Sequence, residues 1–346
     1  MNLSSRSALA LFVAVPLALA GCGSDDPAPA TAADTGTTPT DTGTSPTDTG
    51  SPADTGGDTT AAKDIVDTAV GAGTFKTLVA AVQAAGLEST LRGAGPFTVF
   101  APDDAAFKKS VPDFLLTQLT TAPYKTELAL ILKYHVLSGS VKAADVLGKK
   151  STPSTVLGAK LSVDGTSGKV VINGGATVTT ADIGASNGLI HVLDAVLLPT
   201  IVDTAVGYDD GTTKFSTLVT AVTAADLAPT LSGPGTFTVF APTDKAFADL
   251  KTKLGDTVFA GLLADKVKLA KVLKYHVLGA VAYGKDVTSG DVTTLEGSKI
   301  KLTVASGKVT IGDTTTTAAN VVLTDLPNSN GVIHVIDKVL VPAGIL

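Results

Sequence analysis

The sequence reads FTVFAPDDAAF over residues 97–107 and FTVFAPTDKAF over residues 237–247. In both copies the first four residues are rich in β-branched and aromatic side chains, which predicts a strand that ends at the following Ala-Pro. Asp103 and Thr243 come next, and both residue types are good helix N-caps. Each copy therefore predicts a strand that leads directly into a short helix.

This repetition extends over most of the chain. Five blocks recur in the same order, and 38 of their 48 aligned positions are identical. A unit of about 140 residues is too long for a solenoid repeat and has the size of a domain. The sequence thus predicts two domains, residues 63–199 and 200–346, joined so closely at Thr200 that we expect a fairly fixed pair. The blocks are Ile65–Val70 with Ile201–Val206, Phe75–Leu87 with Phe215–Leu227, Phe97–Phe107 with Phe237–Phe247, Lys133–Leu137 with Lys274–Leu278, and Asn187–Pro199 with Asn330–Pro342.

Helical patterns dominate the start of each unit and strand patterns its end. Apolar residues at helical spacing predict a helix beginning near Phe75, and two further helices are expected at Lys125–Tyr134 and Lys266–Tyr275. β-branched runs predict strands later, among them Lys299–Val304 and a long strand Leu189–Leu198. This order, without βαβ alternation, indicates an α+β fold with mainly antiparallel pairing.

The first residues resemble an export signal. Arg6 precedes an uncharged, mostly apolar run of 13 residues, Ala8–Ala20, which is too short to span a bilayer. Leu19-Ala20-Gly21-Cys22 resembles a bacterial lipobox, in which the Cys is acylated and becomes the first residue of the mature chain. We therefore expect a signal peptide over residues 1–21 and a lipid anchor at Cys22, which would place an exported protein at a membrane of the bacterial cell envelope, facing the surface or the periplasm.

Residues 22–62 are expected to form a disordered tether, since between Gly23 and Ala62 they contain no aromatic residue, Val, Ile, Leu, Lys or Arg. Asp-Thr-Gly recurs there, but without the apolar strands that an aspartic protease needs around that triplet. The formal charge of the whole chain is −6, whereas residues 63–346 hold 25 basic and 25 acidic residues. No basic surface for nucleic acid is therefore expected.

The four histidines form two equivalent pairs. His191 and His334 each lie in Ile-His-Val, where a partly buried ring bonded to the backbone is expected. Asp194 is three positions from His191, so in a strand the two side chains point to opposite faces. No spacing typical of a metal site occurs, and no metal or cofactor is expected. Gly-Ala-Ser-Asn-Gly around Ser186 matches a hydrolase elbow, but a strand rather than a helix is expected to follow it.

Tyr134-His135 and Tyr275-His276 have two interpretations. They are a core Tyr with a hydrogen-bonding His at a helix-to-strand junction, or a recognition edge for a partner. The loop around Tyr208 also has two interpretations, because it is four residues longer than its counterpart Gly71–Thr74. It is a binding loop or an ordinary variation in loop length.

Three motifs, each present in both units, carry a family resemblance. Phe-Thr-Val-Phe-Ala-Pro-x-Asp-x-Ala-Phe, Tyr-His-Val and Asn-Gly-x-Ile-His-Val-x-Asp-x-Val-Leu-x-Pro resemble the motifs of fasciclin-like domains, with Asp103 where the family commonly has Thr. The resemblance covers about residues 63–346 and implies a wedge-shaped β-sandwich flanked by helices. It implies an extracellular adhesion or matrix module, and it points to Tyr134, His135, Tyr275 and His276 as partner-binding residues.

We therefore expect a cell-surface lipoprotein whose two fasciclin-like domains mediate adhesion or contact with the extracellular matrix, without catalysis. The expected partners are a membrane, through Cys22, and a protein or polysaccharide. The alternative is a non-catalytic protein at the cell envelope that binds a small molecule or polymer in a pocket between the helices and the sheet. A hydrolase that uses Ser186 or a His–Asp pair is the remaining hypothesis.

Overall fold

A computed structural model of the chain describes residues 62–315 and 317–345. The predicted signal peptide, Cys22 and the tether as far as residue 61 lie outside the described residues. We call residues 63–199 repeat 1 and residues 200–346 repeat 2. None of the helices in the described part of the chain is both long and apolar enough to cross a bilayer.

Repeat 1 begins with three helices, enters its first strand and continues through further helices to a run of strands. A 3-10 turn at Ala122–Tyr124 precedes its longest helix. In chain order the elements are α1 (Ile65–Ala72), α2 (Lys76–Ala84), α3 (Glu88–Leu91), β1 (Phe97–Pro102), α4 (Asp104–Ser110), α5 (Asp113–Leu119), α6 (Lys125–Tyr134), β2 (Val136–Ser138), α7 (Ala143–Val146), β3 (Lys150–Ser151), β4 (Val163–Asp164), β5 (Val171–Ile172), β6 (Ala176–Ala185) and β7 (Gly188–Leu193).

Repeat 2 follows nearly the same order, with a 3-10 turn at Gly284–Asp286 in place of α7. Its elements are α8 (Ile201–Gly207), α9 (Ser216–Ala224), α10 (Ala228–Ser232), β8 (Phe237–Pro242), α11 (Asp244–Leu254), α12 (Asp256–Ala264), α13 (Lys266–Tyr275), β9 (Val277–Leu278), β10 (Gly290–Thr293), β11 (Lys299–Ala305), β12 (Lys308–Gly312), β13 (Ala319–Asn328) and β14 (Gly331–Ile336).

Each repeat builds one seven-stranded sheet, in the order β2-β1-β7-β6-β5-β4-β3 and, equivalently, β9-β8-β14-β13-β12-β11-β10. Neighbouring strands are antiparallel, except that β1 pairs in parallel with β7, and β8 with β14. The predicted α+β class with mainly antiparallel pairing is confirmed. The parallel pair arises because the last strand of each repeat returns beside its first.

Side chains on the two faces of the sheet enter different cores. In β1, Val99 and Ala101 pack against the helices, whereas Phe100 points away from them. On that second face Phe100 and Leu193 pack with Leu161 and Ile172, which come from the other end of the same sheet. The bent sheet therefore packs on itself as a sandwich, with helices on one outer face.

The predicted helices Lys125–Tyr134 and Lys266–Tyr275 are confirmed with their bounds. Asp103 and Thr243 cap α4 and α11 as predicted, by accepting hydrogen bonds from the N–H groups of Ala106 and Ala246. The prediction of one long strand over Leu189–Leu198 is wrong, because β7 ends at Leu193. Beyond it the chain leaves the sheet, and the N–H of the buried Leu197 bonds to a side chain instead of a strand.

The two repeats pack against each other. From repeat 1, Phe114 meets Tyr283 edge to face, with ring centroids 5.5 Å apart, and Gln118 Nε2 donates to the carbonyl of Thr324 at 3.3 Å. Farther along, α6 packs against α8, and Leu130 and Tyr208 belong to one continuous apolar core that runs through both repeats.

Candidate functional site

The two Tyr-His motifs lie at the ends of α6 and α13, and all four side chains are buried. Asn173 Nδ2 donates to the Tyr134 hydroxyl at 2.9 Å, and the Tyr275 hydroxyl donates to the carbonyl of Lys299 at 3.0 Å. In this arrangement each Tyr fastens the end of a helix to the distant strands of its own sheet. The hypothesis that these residues bind a partner stays a prediction. Their hydrogen bonds stabilise the packing of each helix end against its own sheet.

Both nitrogens of each motif histidine have a main-chain partner. His135 Nδ1 donates to the carbonyl of Ile131 at 2.7 Å, and Nε2 accepts from the N–H of Leu197 at 2.9 Å. His276 repeats the arrangement in repeat 2. A ring that donates at one nitrogen and accepts at the other is neutral, and burial accordingly lowers the pKa of His135 and His276 to about 4.

The histidines of the Ile-His-Val motifs hold a different loop. His191 Nε2 donates to the carbonyl of Val141 at 2.8 Å, and Nδ1 accepts from the N–H of Asp182 at 3.2 Å. The expectation of a ring bonded to the backbone is confirmed. Asp194 accepts from the N–H of Thr177 instead, so it and His191 have separate partners, as their strand positions predicted.

The Asn-Gly pair before β7 joins three segments of repeat 1. Asn187 Oδ1 accepts from the N–H of Ile65 at 3.0 Å, while Nδ2 donates to the carbonyls of Leu91 and Gly93 at 2.8 and 3.0 Å. Glycine must follow, because a Cβ at position 188 would lie 2.1 Å from the carbonyl oxygen of Phe97. Asn330 and Gly331 repeat these contacts in repeat 2.

Ser186 lies in the turn before this pair and is exposed. A strand follows the turn, whereas a nucleophile elbow requires a helix there. Within the described residues, the hydroxyl of Ser186 has no hydrogen bond to a His or acidic side chain. The turn therefore differs from the hydrolase arrangement in both backbone and neighbours.

An apolar cleft opens between the first helices and the sheet of each repeat. The cleft of repeat 1 has a cavity volume of about 70 Å³, and that of repeat 2 about 40 Å³. Equivalent residues line both, so the cleft belongs to the fold of each repeat. The shared lining includes Val66, Leu78 and Val82 in repeat 1 and Val202, Leu218 and Val222 in repeat 2.

Two residues at the contact between the repeats are buried although the sequence analysis did not predict their burial. Tyr208, in the longer loop of repeat 2, is buried and packs on Phe215 with ring centroids 5.4 Å apart. Glu127 on α6 is fully buried as well. The signal was present in its spacing, because Glu127 shares the buried helix face of Leu130, Ile131 and Tyr134.

Comparison with known proteins relates both repeats to one domain type. A sequence model of the fasciclin domain matches residues 73–199 and again residues 213–342. Protein sll1483 of Synechocystis sp. is 45% identical over 141 residues, which make up 41% of this chain and 76% of that protein. The uncharacterized protein sll1735 of the same organism is 47% identical over 135 residues, or 39% of this chain and 97% of that protein.

Human periostin is 29% identical over 259 residues, which cover 74% of this chain but 29% of periostin. Among solved structures, a FAS1 domain pair from the insect cell adhesion molecule fasciclin I aligns with a TM-score of 0.40 and 20% identity. That alignment covers 80% of this chain and 99% of the other.

Proposed function

The chain belongs to the fasciclin family, and from this premise we propose that it is an adhesion or matrix-contact protein of the bacterial cell envelope. Fasciclin domains are found in cell-adhesion and extracellular-matrix proteins. The observation that carries the proposal is the match of the family model to both repeats, which supports a pair of domains at residues 63–199 and 200–346. The formal net charge of residues 63–346 is zero, so the affinity for a protein or polysaccharide should depend only weakly on salt concentration.

The anchor in this proposal is a lipid on Cys22, after removal of residues 1–21. The apolar run with Arg6 before it and small residues before Cys22 supports this processing. Expression of the full chain in a bacterial host, followed by mass spectrometry of the membrane fraction, should find an N-terminal acylated Cys22. The Cys22→Ala variant should be absent from the membrane fraction. An unmodified thiol in the wild-type chain would overturn the anchor.

Adhesion is tested on cells that display the full chain. These cells should attach to one another, or to surfaces coated with matrix protein or polysaccharide, more than cells with an empty vector do. Cells expressing Cys22→Ala serve as a control, because the domains are then present without display. Attachment equal to the vector control, with the chain detected at the surface, would contradict the proposal.

We infer that Tyr134, His135, Tyr275 and His276 contribute to binding indirectly. They stabilise the fold that positions the binding surface. Their burial and main-chain hydrogen bonds support this indirect role. The variants Tyr134→Phe and Tyr275→Phe should therefore reduce attachment only as far as they reduce the folded fraction. Loss of attachment by a fully folded variant would instead assign these tyrosines a direct contact.

A second candidate function is favoured by the apolar cleft, which lies where the pocket hypothesis requires it. Its aliphatic lining suits an apolar ligand. The probe 1-anilinonaphthalene-8-sulfonate should bind the full chain saturably, and Val79→Trp should block the larger cleft. Val70→Trp is the matched control, since Val70 is exposed on the neighbouring helix. Equal binding by both variants would reject the cleft as a ligand site.

A further inference from the structure

Glu127 is a buried carboxyl group without a partner. Among the described residues, neither of its side-chain oxygens has a hydrogen bond, although the residue is fully buried on α6. The chain has only two other glutamates, Glu88 and Glu296, and both are partly exposed and hydrogen-bonded. A buried charge without a partner is strongly destabilising, so this carboxyl group must be neutral while it stays where it is.

The side chain lies on the face of α6 that meets repeat 2. Leu130 is one helical turn farther along this face, and a Cβ built on Gly207 of α8 would lie 3.1 Å from Leu130 Cδ2. Tyr208 follows Gly207 and is close enough for the Glu127 carboxyl group to affect its ionisation. Tyr208 of the longer loop in repeat 2, which the sequence left with two interpretations, thus lies near Glu127.

The domain fold itself does not require an acid here. α13 is the counterpart of α6 in repeat 2, and Lys268 occupies the position equivalent to Glu127. Lys268 is exposed to solvent. Glu127 is therefore a feature of the contact between the repeats.

No positively charged group among the described residues contributes to the pKa shift of Glu127. Tyr208 approaches from the loop of repeat 2, and burial, followed by Asp210 and Glu127, raises the pKa of Tyr208. On α8, Asp203 is bonded to Thr200. The charged residues of the other packed helices, Lys76 of α2 and Asp113 of α5, are exposed. Burial is the cause that raises the pKa of Glu127 to about 8.

We propose that Glu127 is a proton-dependent latch between the two repeats, so that closing the contact of α6 with α8 and the Tyr208 loop requires a proton on its carboxyl group. When the contact opens, Glu127 reaches water and releases the proton. Rising pH therefore favours the open form, in which Leu130 and Tyr208 no longer pack in one apolar core and become exposed to solvent. This inference does not depend on the adhesion proposal.

Hydrogen exchange of the full chain tests the latch. For the segments 125–134 and 207–214, protection corrected for intrinsic exchange should fall about tenfold per pH unit between about pH 5 and pH 8. In Glu127→Gln, and in Glu127→Met if the first variant folds poorly, this fall should disappear. Lys268→Gln is the matched control and should behave as the wild type. A wild-type profile without pH dependence, or the same fall in the Glu127 variants, would overturn the proposal.

Discussion

The Nε2 atom of His276 accepts a hydrogen bond from the main-chain N–H of Leu340 at 2.8 Å, although 64 positions separate the two residues. The other nitrogen of the ring, Nδ1, donates to the carbonyl of Val272 in the preceding helix. In repeat 1, His135 and Leu197 form the same bond at 2.9 Å. A neutral imidazole thus joins the end of a helix to the segment that leaves the sheet.

These rings should make the fold sensitive to acid. Burial lowers the pKa of His135 and His276 from 6.5 to about 4 in the folded protein. Between these values the unfolded chain binds protons that the folded protein does not, so the free energy of unfolding falls as pH decreases. From pH 7 to pH 5 we expect each ring to remove about 2 kcal/mol.

Denaturant unfolding at pH 7 and pH 5 measures this effect. The variant His135→Gln should lose about 2 kcal/mol less than the wild type over that interval. Other titrating groups, Glu127 among them, are the same in both chains and drop out of the difference. An identical loss in wild type and variant would contradict a neutral, buried His135.

The structure also explains how far prediction from the sequence could go. Helix α6 was predicted with its bounds because one apolar stripe and the Tyr-His junction define it locally. The end of β7 was missed, because Leu197 bonds to His135, and a contact 62 residues apart leaves no local pattern. The spacing of Glu127 places it on the apolar face of α6, but the duplicated sequence does not specify that this face packs against repeat 2.

The asparagines before β7 and β14 should be hard to replace. Asn330 Nδ2 donates to the carbonyls of Leu231 and Gly233 at 2.7 and 2.9 Å. In Asn330→Asp a carboxylate would face both carbonyl oxygens, so we expect a loss of about 3 kcal/mol in the free energy of unfolding. Urea titration measures it. The adjacent exposed Ser329→Ala is the control and should change stability by less than about 0.5 kcal/mol, whereas equal effects would refute the bridging role.

The two repeats supply a matched test of helix capping. Asp103 Oδ1 accepts from the N–H of Ala106 at 2.7 Å, and Thr243 Oγ1 accepts from that of Ala246 at 3.1 Å. Asp103→Ala should therefore cost about 1 kcal/mol, while Asp103→Thr, which copies repeat 2, should cost little. Thermal unfolding compares them. If Asp103→Thr is as unstable as Asp103→Ala, the side chain of Asp103 does more than cap α4.

The close approach of the repeats at Gly207 gives the sharpest comparison between the two copies. A Cβ there would lie 2.7 Å from Leu157 Cδ1 and 3.1 Å from Leu130 Cδ2, whereas a Cβ on the equivalent Gly71 meets only Lys63 Nζ, at 3.5 Å.

Both glycines are helical, so alanine gains propensity at either position. Gly71→Ala should raise the free energy of unfolding by about 0.5 kcal/mol. Gly207→Ala must displace two leucines from the contact between the repeats and should lower it by about 1 kcal/mol. Denaturant titration of the two variants decides, and equal stabilisation by both would mean that the repeats do not pack closely at Gly207.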